Sequence, residues 1–152
     1  MAVPDLVRAQ QDVYRKMVRA AVASRKASRA AGLDTALIEL VNVRVSQLNG
    51  CVACLSAHVP AARKAGVPQQ RLDLLPAWRD LDGFTEVERA ALWLAETLTR
   101  LDDVGERHAA VAAAGEHFSE EQLSALEWSI VLINSFNRVS IASHHQVTLD
   151  RE

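Results

Sequence analysis

Aromatic side chains are scarce in this chain: Phe, Trp and Tyr make up 5% of its 152 residues, against 49% for hydrophobic residues as a whole. The core must therefore be built from Ala, Leu, Val and Ile, a composition that favours helices over a β-sandwich. Charge of one sign is also lacking. The formal net charge is -2, which argues against a dedicated nucleic-acid binder, because counterion release needs a concentrated basic surface. No apolar run approaches the length of a membrane span, and the stretch Met-Ala-Val-Pro-Asp-Leu at the N-terminus has no apolar region of signal-peptide length. The expectation is a cytoplasmic protein without a membrane partner. Cysteine occurs only twice, and the loop that Cys51 and Cys54 would close is too short to constrain the unfolded chain much. Redox chemistry, metal binding or accident remain. The length suits one domain spanning residues 1–152.

Apolar residues recur at helical spacing through almost the whole sequence, so the expected fold class is all-α. A long helix is expected from about Asp5 to Ala31, stopped by Gly32. Asp34 caps the next, Thr35 to about Leu48, whose apolar residues leave hardly any polar face; such a helix is enclosed in a core or against another subunit. It ends at Asn49-Gly50, and a third helix runs from near Cys51 to Gly66. A short helix with a turn, interrupted by Pro76, is expected between Pro68 and Trp78, followed by a loop at Gly83. Thr85 with Glu88, and Ser119 with Gln122, form capping boxes opening two further helices, with another between them over Gly105 to Ala114. One basic stretch, Arg15, Lys16, Arg19, Arg25, Lys26 and Arg29, reads as a solvated helix face or a contact to an acidic neighbouring subunit ahead of a phosphate site.

Cys51, Cys54 and His58 stand at positions i, i+3 and i+7, so at about 100° per residue they share one helix face. Both cysteines fall at the first turn, where free backbone amides and the helix dipole favour a thiolate. His58 lies one turn beyond Cys54 and can take its proton. Glu39 and His58 sit roughly 16 and 12 Å from the Asn49-Gly50 turn at 1.5 Å per residue, so they would meet in an antiparallel helix pair. A carboxylate between Ile38 and Leu40 needs such a partner. A zinc site from Cys51, Cys54 and His58 ranks lower, because structural zinc takes four close ligands. Adjacent side chains such as His144 and His145 diverge by about 100° on a helix and read as surface or subunit contact. The three Trp and three Phe read as packing.

The run from Glu39 through Asn49-Gly50-Cys51-Val52-Ala53-Cys54, with His58, resembles the signature of the alkyl hydroperoxidase D-like, carboxymuconolactone decarboxylase domain. The resemblance extends upstream to Gly32-Leu33-Asp34 and downstream through Glu96 to Asn134, Asn137 and Arg138. It implies an all-helical homo-oligomer, trimer or hexamer, that reduces a hydroperoxide through a cysteine pair and needs no cofactor or metal. Glu39, Cys51, Cys54 and His58 would be catalytic. His58 is the nearest base to Cys54, which favours Cys54 as the attacking residue with Cys51 resolving and open to a dithiol reductant such as lipoamide or a thioredoxin-like protein; the reversed assignment stays open. Asn134, Asn137 and Arg138 would bond across to helix ends near the site. Ala53 stands where the peroxidases of this family carry a further histidine. A general disulfide oxidoreductase and a redox-sensing oligomer would use the same cysteines; lactone decarboxylation ranks below both, because that branch lacks the pair.

Overall fold

The computed structural model describes residues 3–149, and among these the regular structure is helical, with no strand. In chain order the α-helices are α1 Leu6–Ala9, α2 Gln11–Ala30, α3 Thr35–Asn49, α4 Val52–Lys64, α5 Gln69–Asp73, α6 Glu86–Arg100, α7 Val104–Gly115 and α8 Glu120–Ala142, with a 3₁₀ helix over Leu75–Asp80 between α5 and α6. The capping boxes at Thr85 and Ser119 form as expected, each side chain accepting from the amide three residues on. None of the helices is long and apolar enough to cross a membrane.

The first helix departs from expectation. Instead of one helix from Asp5, the chain breaks at Gln10, whose backbone (φ -133°, ψ 60°) is not helical. The turn before the break is fastened elsewhere: the Leu6 amide donates to Ser143 Oγ at 3.0 Å, and Asp5 faces His145 at 3.7 Å. Anchoring α1 to the end of α8 sets a direction that α2 does not share. Met1 and Ala2 of the N-terminal stretch considered above lie outside the described residues.

Helix α3 occupies the centre and is enclosed by this chain itself. Val41 and Val45 join a core with Ala91, Leu94, Leu126 and Ile130. Leu40 and Val43 face a second core containing Leu75, Trp78 and Leu92. All four α3 side chains are fully buried, each stabilising the fold by roughly 1.5–3 kcal/mol. The helix thus has an apolar neighbour on nearly every side, which explains its lack of a polar face.

Two charges lie in this interior. Arg44 of α3 and Glu96 of α6 form an ion pair in which Nε and Nη2 converge on one carboxylate oxygen, both 2.7 Å from Oε1. Trp78 Nε1 donates to the same oxygen at 2.8 Å, and Arg79 Nη2 donates to Oε2 at 2.8 Å. Burial alone would raise the Glu96 pKa, but the hydrogen bonds from Trp78, Arg44 and Arg79 and the Arg44 charge outweigh it and hold the carboxyl below its ordinary value. The cluster ties α3, α6 and the 3₁₀ helix together, and Trp78 is more than packing.

Replacing Glu96 by Gln should cost about 3–5 kcal/mol, because it leaves Arg44 buried without a counter-charge; urea unfolding of the two proteins measures it. Since the folded pKa is depressed, Glu96 contributes its stability fully above the unfolded carboxyl pKa and loses it as pH falls through the folded value. The gap between wild type and Glu96→Gln should therefore narrow in acid, and a gap that stays constant down the acid limb would contradict this role.

Candidate active site

The site is built on the junction of α3 and α4. Gly50 adopts a left-handed backbone (φ 66°), a conformation that L side chains enter only at a cost. It lets the Gly50 and Cys51 amides turn back to the Gln47 and Ser46 carbonyls at 3.2 and 3.0 Å, a Schellman ending. Cys51 then caps α4, its Sγ accepting from the Cys54 amide at 3.4 Å. One residue closes one helix and opens the next. The sulfurs of Cys51 and Cys54 are joined as a disulfide, with their Cα atoms 5.3 Å apart, so the structure holds the oxidised form of the pair.

The short junction forces α3 and α4 to run back along one another, which brings Glu39 to His58. Nδ1 of His58 lies 2.6 Å from Oε2 of Glu39. With Glu39 ionised, Nδ1–H donates to it and Nε2 is the nitrogen available to take up a proton. Both side chains are partly accessible and line a cavity of about 250 Å³ between α2, α3, α4 and α8. His58 lies on α4 one turn after Cys54.

The junction is clamped from α8. Asn49 Nδ2 donates to Oδ1 of both Asn134 and Asn137 at 2.9 Å, and Asn137 Nδ2 donates to Ser46 Oγ at 3.2 Å. Asn134 and Asn137 therefore reach across to the end of α3, as the resemblance implied. Arg138 does not: its guanidinium bonds to the oxygens of Asn134 on its own helix.

Cys51 was expected to lie open to a reductant, and it does not. It is 1% exposed and Cys54 7% exposed. The C-terminal segment turns back over the junction, with His144 at a left-handed φ of 51°. Residues Ser140 to Gln146 here wall a second cavity of about 230 Å³ against Gly50, Cys51, Val52 and Ala53. His144 and His145 border this cavity with Cys51, and His145 Nε2 lies 3.7 Å from Asp5 Oδ1. Sequence spacing could not show this, because these residues follow the end of α8 and are not helical. Among the described residues no three His, Cys, Asp or Glu side chains stand together in a way that could hold a metal ion.

Reading by spacing also missed Arg44 with Glu96 and the cavity residues Asn42 and Arg25. Arg44 and Asn42 left a signal: each is a polar residue in a helix otherwise apolar all round, and a polar group there needs a partner or a purpose.

Residues 11–97 match the carboxymuconolactone decarboxylase family. The uncharacterized protein YdfG of Bacillus subtilis (strain 168) is 38% identical over 117 residues, covering 77% of this chain and 80% of that protein. A protein of unknown function from Agrobacterium tumefaciens, provisionally described as the antioxidant defence protein AhpD, has a crystal structure that matches with a TM-score of 0.84. The match is 26% identical and covers 99% of this chain and 100% of that one. The chain, with its cysteine pair at the head of α4, belongs to the carboxymuconolactone decarboxylase family.

Proposed function

We propose that the protein is a thiol-dependent peroxidase of the alkyl hydroperoxidase D type, cycling between a reduced Cys51/Cys54 pair and their disulfide. The observation that carries this reading is the Glu39–His58 pair at 2.6 Å, one helical turn from a cysteine that lies at the start of a helix. The provisional assignment of the Agrobacterium protein to antioxidant defence agrees with it.

In the reduced enzyme Cys54 passes its proton to His58, and the thiolate is favoured by the free amides of the first turn of α4. It attacks the terminal oxygen of a hydroperoxide. An S–O bond forms, the O–O bond breaks, and the leaving alkoxide takes a proton from His58 to depart as an alcohol. The Cys51 sulfur then attacks the Cys54 sulfenic acid and displaces hydroxide, which leaves as water with the Cys51 proton. The product is the disulfide seen in the structure. Glu39 holds the imidazole in the tautomer that presents Nε2. A dithiol reductant, such as lipoamide or a thioredoxin-like protein, restores the pair by exchange; the cavity between the CxxC turn and residues 140–146 lies beside Cys51, which is itself buried. We place the enzyme in the cytoplasm as a homo-oligomer, trimer or hexamer; the exposure of Trp128 and Val131 on α8, at 58% and 49%, supports the association.

The test is mass and thiol counting after brief exposure of reduced protein to stoichiometric tert-butyl hydroperoxide. The wild type should lose two thiols far faster than free cysteine does. Cys54→Ser should abolish the reaction, Cys51→Ser should stop at the sulfenic acid, and His58→Ala should slow the first step by about 10²–10⁴-fold. Oxidation no faster than free cysteine, together with ready exchange against dithiols and disulfides, would move the protein to the disulfide oxidoreductase or redox-sensor class.

A further inference from the structure

The 250 Å³ cavity is more specific than a peroxide channel requires. Its walls are largely apolar, with Val18, Ile38, Leu132 and Phe136 among them. Hydrogen peroxide has no use for such a surface, whereas an organic body does. Besides two serines that bond each other and the Glu39–His58 pair, three features bear on what the cavity can hold. Asn42 of α3, one turn from Glu39, is only 8% exposed. Its side-chain amide makes no hydrogen bond among the described residues and stays open to the cavity, where water or a ligand group can meet it. Arg25 of α2 is exposed at the cavity wall and has no carboxylate within ion-pair distance among the described residues.

The third feature is the charge around Arg25. Helix α2 carries Arg15, Lys16, Arg19, Arg25, Lys26 and Arg29 against one acid, Asp12, which already faces Arg15 and Lys16. Arg25 therefore places a positive charge at the wall of the apolar cavity, on a helix whose net charge is positive, and this favours anions there. Glu39, the acidic group in the cavity wall, has its carboxylate turned to His58. A carboxylate can pair with the free Arg25 guanidinium through charge-assisted hydrogen bonds, and the Asn42 amide can donate to, or accept from, an oxygen-bearing group beside His58.

Resting on the peroxidase reading, we infer that this cavity selects an organic hydroperoxide that carries a carboxylate on an apolar body. Arg25 holds the carboxylate, the apolar wall holds the carbon chain, and Asn42 holds the oxygen-bearing head next to the Glu39–His58 pair. Arg25 and Asn42 are specificity residues; the redox step itself is unchanged.

Octanoate and octan-1-ol, which carry the same chain with and without the charge, test the site without any peroxide. Titrated into the disulfide form and followed by ¹H–¹⁵N NMR, octanoate should shift the Asn42 side-chain amide and the α2 and α3 signals around the cavity. It should bind about tenfold or more tighter than octan-1-ol, a difference of about 1.4 kcal/mol. Arg25→Gln should remove that preference, and Asn42→Leu should weaken octanoate binding several-fold with the fold retained in the NMR spectrum. Equal binding of acid and alcohol, or an octanoate affinity indifferent to Arg25→Gln, would overturn the inference. A kinetic arm compares kcat/KM for a hydroperoxy-octanoic acid and its methyl ester, with the free acid expected to be preferred. Turnover of both without preference removes this inference and keeps the peroxidase reading. Octanoate binding that depends on Arg25, in a protein that consumes no hydroperoxide, keeps the anion site and removes the peroxidase reading.

Discussion

Much of this structure depends on the two-residue connection Gly50-Cys51. Because Gly50 turns left-handed and the Cys51 amide closes α3 onto Ser46, no loop separates α3 from α4. The reversal places the sulfur of Cys51 at the cap of α4 and sends His58 back towards Glu39. A longer or looser connection would leave the separation of carboxylate, imidazole and thiols to chance. The three asparagines around the corner, Asn49, Asn134 and Asn137, satisfy one another, so the turn is held by hydrogen bonds inside the fold.

The same helix that carries Glu39 must be enclosed, and its enclosure sets a second demand. Arg44 cannot reach water from the middle of α3, so Glu96 must meet it, and Trp78 and Arg79 complete the carboxylate. The cluster fixes how α6 and the 3₁₀ helix pack on α3. Its consequence for the site is that it fastens the helix that carries Glu39.

Two cavities of different character adjoin α3 and α4. One, walled by α2, α3, α4 and α8, opens onto Glu39 and His58 with apolar surface, Asn42 and Arg25. The other, beneath the segment that follows α8, opens onto Cys51 with two histidines nearby. In the proposed thiol cycle the oxidant and the reductant act on different sulfurs at different times, and two separate cavities suit that division. Ala53, in the place of a further histidine, faces the second cavity, so its replacement bears on the Cys51 side rather than on His58.

Much of this could be read from the chain. Periodicity and caps place the helices to within a few residues, because hydrogen-bond closure and burial of one face are local demands: Asp34, Thr85 and Ser119 cap where expected. The spacing of Cys51, Cys54 and His58, and their register with Glu39 across a glycine turn, follow from helix geometry alone. What depended on distant residues was hidden. The break at Gln10 comes with anchoring to Ser143; the cover over Cys51 comes from residues some ninety positions on; and the partners of Arg44 and the solitude of Asn42 depend on which helices surround α3. By itself the sequence determined the helices, their caps and the residues that share a face, since these are set within a few turns of chain. Only the tertiary structure decided which sulfur is covered, which charges are paired and where a cavity remains, because burial is a property of the neighbours that packing brings and not of the residue buried.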